Sequence, residues 1–176
     1  MSGRGPAQHA GDGPMGEESG AARAAATLLP GAAIVGLEAD DAPAALRALS
    51  ARLREIGAVT ESFEAAVLRR EEEHPTGLPT LVPAAIPHTD PEHVITPGFA
   101  VAIPKEPVAF GEIGSSGRRT IWAELIVMLV LADATSQLAA LQNLVARLQE
   151  PEAVRRVLAA SDDADLERRA ADWLAG

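Results

Sequence analysis

The chain has no cysteine among its 176 residues, which excludes disulfides, thiolate metal sites and cysteine nucleophiles. It has no long apolar run either. Its most apolar stretch, Leu125 to Ala132, falls far short of the roughly 20 residues that a membrane-crossing helix needs. Positive charge is scarce: 15 Lys and Arg stand against 25 Asp and Glu, a formal net charge of −10 at pH 7, with a pI near 4.8. That balance repels nucleic acid and anionic membrane surfaces and suits a basic protein partner. There is no internal repeat and no nucleotide fingerprint. Gly111-Glu112-Ile113-Gly114-Ser115-Ser116-Gly117 lacks the lysine and the strand-to-helix setting of a P-loop, so it reads as a flexible surface loop, and no cofactor is implied.

The length suits one globular domain with a real core and is short for two. Residues 1–27 are rich in Gly, Ala, Ser and Pro with few large apolar groups. They cannot bury enough surface to offset the entropy of ordering, and read as a flexible low-complexity tail ahead of a domain spanning 30–174. The tail lacks the continuous apolar core of an export signal.

Strands and helices interleave along the rest. Ala33 to Leu37 is a short apolar run of strand length and marks the start of the domain. Pro43 suits a first helical turn, and Leu46, Leu49, Leu53 and Ile56 follow at helical spacing until Gly57 stops the helix. Thr60 is the expected cap of a second helix, with Phe63, Ala66 and Val67 inward and an end before Pro75. Ala84–Ile86 and Phe99–Ile103 read as strands, and Glu124–Leu131 as a central strand covered on both faces, with a helix as the competing reading. Asp133 to Ser136 makes the break before a helix opened by Ser136 and striped by Leu138, Leu141, Leu144, Val145 and Leu148. Pro151 restarts a short helix, and Ser161 caps a last one carrying Leu166, Trp173 and Leu174. The pattern implies an α/β sandwich.

Three segments stand out in order: Arg69-Arg70-Glu71-Glu72-Glu73-His74-Pro75-Thr76-Gly77-Leu78, then Ala84-Ala85-Ile86-Pro87-His88-Thr89-Asp90, then Glu106-Pro107-Val108-Ala109-Phe110-Gly111-Glu112-Ile113-Gly114. Together they resemble the IIA domains of the fructose/mannitol/galactitol branch of the sugar phosphotransferase system, over roughly residues 30–174 and with a galactitol-like leaning. The resemblance implies a single-domain mixed β-sheet flanked by helices, a cytoplasmic location and a phosphotransferase role. In it, a histidine takes a phosphoryl group from HPr and gives it to a cysteine of a IIB domain during sugar uptake. That cysteine would belong to another chain. With no membrane helix here, a separate IIA polypeptide is expected, touching the membrane IIC component only indirectly.

By itself, His88 also fits an ordinary strand-end histidine. Within the family pattern it is the phosphorylated residue. Imidazole suits the task, because an unperturbed pKa of about 6.5 leaves a nucleophilic nitrogen available near neutrality. Transfer passes through a loose transition state with charge on three equatorial oxygens, so positioning and donors dominate catalysis and the histidine must be exposed. Arg70 matches the arginine of the family's Arg-Glu segment, and a guanidinium presents paired donors to phosphate, although Arg69 takes its place under a one-residue shift. Gln137 falls where fructose and mannitol relatives carry a second histidine. It can donate a hydrogen bond to phosphate but cannot be a cation, and it equally fits a solvent-facing helix position. Thr76 and Thr89 are weaker candidates for phosphate contacts, and Asp90 for orienting the imidazole. Turn formation is a sufficient role for all three.

Two other functions compete. One is a regulatory module of the same fold, whose phosphorylation state controls a partner. The other is a metal-dependent hydrolase using His88, Asp90 and His93, which is disfavoured because Pro91 bends the segment and no further histidine cluster completes a ligand set.

Overall fold

The structure, a computed structural model, describes residues 26–176. The expected tail, apart from its last two residues, lies outside the described residues.

The all-apolar run is the strand β7, Leu125–Val130, and every residue in it is buried. It sits at the centre of a five-stranded mixed sheet. The order is β1 (Leu28–Leu37), β4 (Gly98–Pro104), β7, β3 (Ala84–Ala85) and β2 (Gly77–Leu78). Both flanks of β7 are paired, β4 antiparallel and β3 parallel. Successive side chains on a strand point to opposite faces, so β7 serves two cores at once. Ile126, Met128 and Val130 join one core with α1 (Ala42–Glu55), α2 (Phe63–Glu73) and the antiparallel pair β5 (Val108–Gly111) and β6 (Thr120–Ala123). Leu125, Val127 and Leu129 join the other with α3 (Ala134–Leu148), α4 (Pro151–Leu158) and α5 (Asp163–Ala175). The expected α/β sandwich is what forms, as a mixed sheet between two helical layers.

Local chemistry explains the ends. Asp41 caps α1 by accepting from the Ala44 N–H at 2.8 Å, with Pro43 in the first turn. Gly57 ends the helix at φ +76, a conformation that side chains disfavour. Ile56 is 37% exposed and leaves the stripe that Leu46, Leu49 and Leu53 continue.

Several expectations are corrected. The first strand starts at Leu28, not Ala33, and runs through a register shift between those residues. Helix α2 starts at Phe63. Thr60 instead closes the preceding turn, its carbonyl accepting from the Phe63 N–H and its hydroxyl meeting Ser62. Asp133 rather than Ser136 caps α3, and Asp162 rather than Ser161 caps α5, because a carboxylate one turn back reaches the free N–H in each case. Leu138 is 59% exposed and stands outside the α3 stripe. The segment read as one loop at 111–117 begins in β5, and Ser115 within it is buried. The Ser115 hydroxyl donates to the Glu112 carbonyl at 2.7 Å.

Candidate functional site

His88 leaves the sheet just past β3. The Pro87 carbonyl accepts from the Leu129 N–H of β7 at 3.0 Å, and His88 itself makes a parallel bridge to Leu129. The residue is therefore carried by the centre of the sheet while its ring reaches the surface. Pro87 has a fixed φ and no N–H, which stiffens this exit. The ring is half-buried, and Nδ1 lies 3.0 Å from the Ile86 carbonyl oxygen. A carbonyl only accepts, so Nδ1 carries the proton and a neutral ring keeps its lone pair on Nε2. Nε2 has no hydrogen-bond partner among the described residues. Burial holds the His88 pKa below the usual 6.5; the bond to Ile86 opposes this, Arg70 adds to it and Asp90 opposes it. The imidazole is thus neutral and nucleophilic at neutral pH.

The ring borders a pocket of about 610 Å³. Arg70, His74, Pro75 and Thr76 contribute from the end of α2 and beyond, Ile113 from the β5–β6 connection, and Leu141, Gln142 and Val145 from α3. Two-residue ambiguity in the sequence is resolved here. Arg70 lines this pocket, whereas Arg69 lines a separate one with Ala42, Leu46 and Arg47 on the far side of α2. Arg70 Nη1 stands 3.7 Å from Asp90 Oδ1, beyond hydrogen-bond distance, and its buried Nε has no partner among the described residues. A guanidinium with open donors beside a neutral imidazole is suited to an incoming dianionic phosphoryl group.

The remaining candidates are placed differently. Gln137 is the fourth residue of α3, and its amide donates to the Thr89 carbonyl at 3.3 Å, so one of its donors ties the helix to the strand exit. Thr89 is buried. Thr76 lines the pocket, but its hydroxyl donates to Glu71 Oε2 at 2.7 Å, and its N–H donates to Glu71 Oε1 at 2.9 Å. Against the idea of a direct phosphate contact, that hydroxyl is already engaged. His93 faces away from a joint site with His88: Nδ1 meets Ser62 Oγ at 2.8 Å and Nε2 lies 3.3 Å from Glu92. Among the described residues no group of three or more His, Asp or Glu is placed to hold a metal ion.

Two residues were missed by the sequence reading. His74 lines the pocket from the end of α2. Glu71 is buried, and burial pushes its carboxyl up to about 7 while the two Thr76 hydrogen bonds oppose that rise. A signal for Glu71 was available. Phe63, Val67 and Glu71 recur at four-residue spacing, which puts the carboxylate on the inner stripe of α2.

Among the described residues no helix is long and apolar enough to cross a membrane. The structure is similar to several solved ones. IIA mannitol from Escherichia coli aligns with a TM-score of 0.65 and 21% identity, covering 81% of this chain and 98% of that one. The complex of enzyme IIAMTL and phosphorylated enzyme IIBMTL from Escherichia coli gives 0.64 and 22%, covering 82% and 94%. Nitrogen Regulatory Protein IIA-Ntr from Neisseria meningitidis gives 0.64 and 20%, covering 81% and 95%. At these identities the likeness establishes the fold. The sequence matches no curated protein. The family model described as "Phosphoenolpyruvate-dependent sugar phosphotransferase system, EIIA 2" matches residues 28–169, most of the chain, and it is to this family of phosphotransfer components that the chain belongs.

Proposed function

We propose that this protein is a phosphohistidine relay, in which His88 accepts a phosphoryl group from phospho-HPr and passes it to a cysteine of a separate IIB component during sugar uptake. The observation that carries the reading is the state of the His88 ring. Its proton is held on Nδ1 by the Ile86 carbonyl, and its lone pair on Nε2 is open beside Arg70. In the first step the Nε2 lone pair attacks phosphorus, the donor N–P bond breaks, and its electron pair returns to the donor imidazole. In the second step a thiolate attacks the same phosphorus and the Nε2–P electron pair returns to His88. Arg70 stabilises the charge on the equatorial oxygens in both. Donors of this kind act without a further group, so no cofactor or metal enters the scheme.

The IIB partner is supported by the Escherichia coli neighbour, which is a complex of a IIA with a phosphorylated IIB. Gln137, in the place of the second histidine of fructose and mannitol relatives, favours a galactitol-like system. A donor chain starting from phosphoenolpyruvate supports a cytoplasmic location. The Neisseria meningitidis neighbour, a nitrogen regulatory protein, supports a second reading in which the same phosphorylation controls a partner.

Incubation of the purified protein with enzyme I, HPr and labelled phosphoenolpyruvate tests the proposal. Acid-labile label on the wild type and none on His88→Ala is expected. An unlabelled wild type beside a labelled control IIA, or a labelled His88→Ala, overturns it. Label that stays on His88 and reaches no IIB cysteine favours the regulatory reading.

A further inference from the structure

Behind the His88 ring runs an unbroken series of hydrogen bonds. Both oxygens of the buried Glu71 carboxylate accept from Thr76, one from its N–H at 2.9 Å and one from its hydroxyl at 2.7 Å. The Thr76 carbonyl accepts from the Ile86 N–H at 3.2 Å, and the Ile86 carbonyl accepts from His88 Nδ1 at 3.0 Å. Thr76 is also confined on its other side. Gly77 packs so closely that a Cβ there would stand 2.6 Å from the Gly111 carbonyl oxygen and from the Ile121 side chain. The position of Thr76 is therefore held by the tight fit of Gly77, by the backbone bond to Ile86 and, through its side chain and N–H, by the Glu71 carboxylate.

A carboxylate at that place needs an explanation. Burying it is unfavourable unless it is paired, and no Lys or Arg side chain pairs with Glu71 among the described residues. Among the described residues its hydrogen-bond partners are the two donors of Thr76. A carboxylate is the side chain that accepts two such donors at once, in a fixed plane. Arg70, the next residue back on α2, enters the pocket on the other side of the same turn.

We propose that Glu71 is a positioning residue for His88. Its carboxylate anchors Thr76, and through the Ile86 peptide that anchor holds the carbonyl that keeps the imidazole proton on Nδ1 and leaves Nε2 free. The inference rests on the reading of His88 as the phosphoryl acceptor and deepens it. Its first readout needs no phosphoryl donor.

Two substitutions separate anchoring from mere filling. Glu71→Gln keeps the anchor, because the amide oxygen accepts from the Thr76 N–H and the amide nitrogen donates to a reversed Thr76 hydroxyl. Glu71→Ala removes it and leaves both Thr76 donors facing a void. The tautomer of neutral His88 is read from its side-chain ¹⁵N shifts in the unphosphorylated protein, and the rate of phosphoryl acceptance from phospho-HPr is read separately.

The wild type and Glu71→Gln are expected to show the proton on Nδ1. In Glu71→Ala, the Nδ1–H population falls and acceptance slows about tenfold or more, with amide spectra away from the site unchanged. A folded Glu71→Ala with the wild-type tautomer and rate overturns the proposal. If Glu71→Ala does not fold, Thr76→Val removes one of the two bonds, and the same tautomer shift is expected in smaller measure. An unchanged tautomer in Thr76→Val then leaves Glu71 a folding role alone and overturns the proposal. A wild type that takes no label, with the tautomer shift intact, overturns the relay reading and leaves the positioning role of Glu71 standing.

Discussion

Charged side chains gather at the β1 edge of this sheet and at the strand exit that carries His88, and the two margins are finished differently. Strand β1 is an edge strand, whose outer N–H and C=O groups would otherwise be open to another chain. Glu167 and Asp163 of α5 accept from the Gly31 and Val35 N–H groups at 3.0 and 2.7 Å. Arg52 of α1 donates to the Gly31 and Ala33 carbonyls and lies 3.6 Å from Asp163. Charge answers backbone and charge answers charge. At the His88 margin, neither Nε2 nor the buried Arg70 Nε has a hydrogen-bond partner among the described residues, and Arg70 and Asp90 stop 3.7 Å apart. The first set closes an edge. The second leaves donors and a lone pair facing one pocket, which is what an incoming phosphoryl group requires, and the difference separates structural charges from reactive ones more sharply than residue type does.

The comparison can be broken first at Glu71, which supports the reactive margin from behind. Its carboxyl holds a proton up to about 7 in the folded protein, against 4.5 for the ordinary group. Between those values the folded state binds more protons than the unfolded one, so stability falls as pH rises through that window. The loss is roughly 3 kcal/mol at about 1.4 kcal/mol per pKa unit. Urea unfolding of Glu71→Gln across the same window is expected to lack that fall. His88 contributes the opposite slope. Its folded pKa is depressed, so its share of stability is present above 6.5 and lost as pH falls through the lowered value.

Arg70→Ala comes next. Loss of charge-assisted donors to the phosphoryl oxygens, worth about 1.5–3 kcal/mol, slows acceptance roughly 10- to 100-fold. Arg69→Ala, on the other side of the helix, leaves the rate within about twofold. Equal effects of the two would erase the distinction between the margins. Asp163→Ala is expected to lower unfolding stability by about 1 kcal/mol, because its side chain is half-exposed and partly screened by water, and to leave phosphoryl transfer unchanged. Gln137→Ala has the smallest effect, a change in transfer rate within about twofold, since its amide is engaged with Thr89 at 3.3 Å.

The parts legible in the sequence are those where one local signal agrees with burial. The run at 125–130 is apolar on both faces because it lies between two cores, and the leucines of α1 mark its single inner face. The place of His88 at a strand exit was legible through the segment that carries it. Strands β2, β5 and β6 were not read, because strands of two and four residues have too few positions to show a period of two. Glu71 was hidden by Glu72 and Glu73, which make it look like one of a solvated charge run, although only the helical register tells the three apart. The partner of the Thr76 hydroxyl was not legible either. The pocket position of Thr76 is a property of the turn after α2, and the direction in which its hydroxyl points is set by a carboxylate five residues earlier. Asp162 was passed over in favour of the neighbouring Ser161, though both residue types cap helices and only backbone geometry decides between them.

The bridge between His88 and Leu129 has a kinetic meaning. The Leu129 amide belongs to a strand paired on both sides and buried on both faces, so its hydrogen should exchange with solvent only through the rarest, most global openings. The imidazole thus hangs from the most slowly opening part of the molecule, while its ring borders the pocket. The relay proposed above meets two unlike proteins in turn. In the proposed relay, that root in a fully paired strand lets His88 present the same nitrogen at the same height to the giver and to the taker.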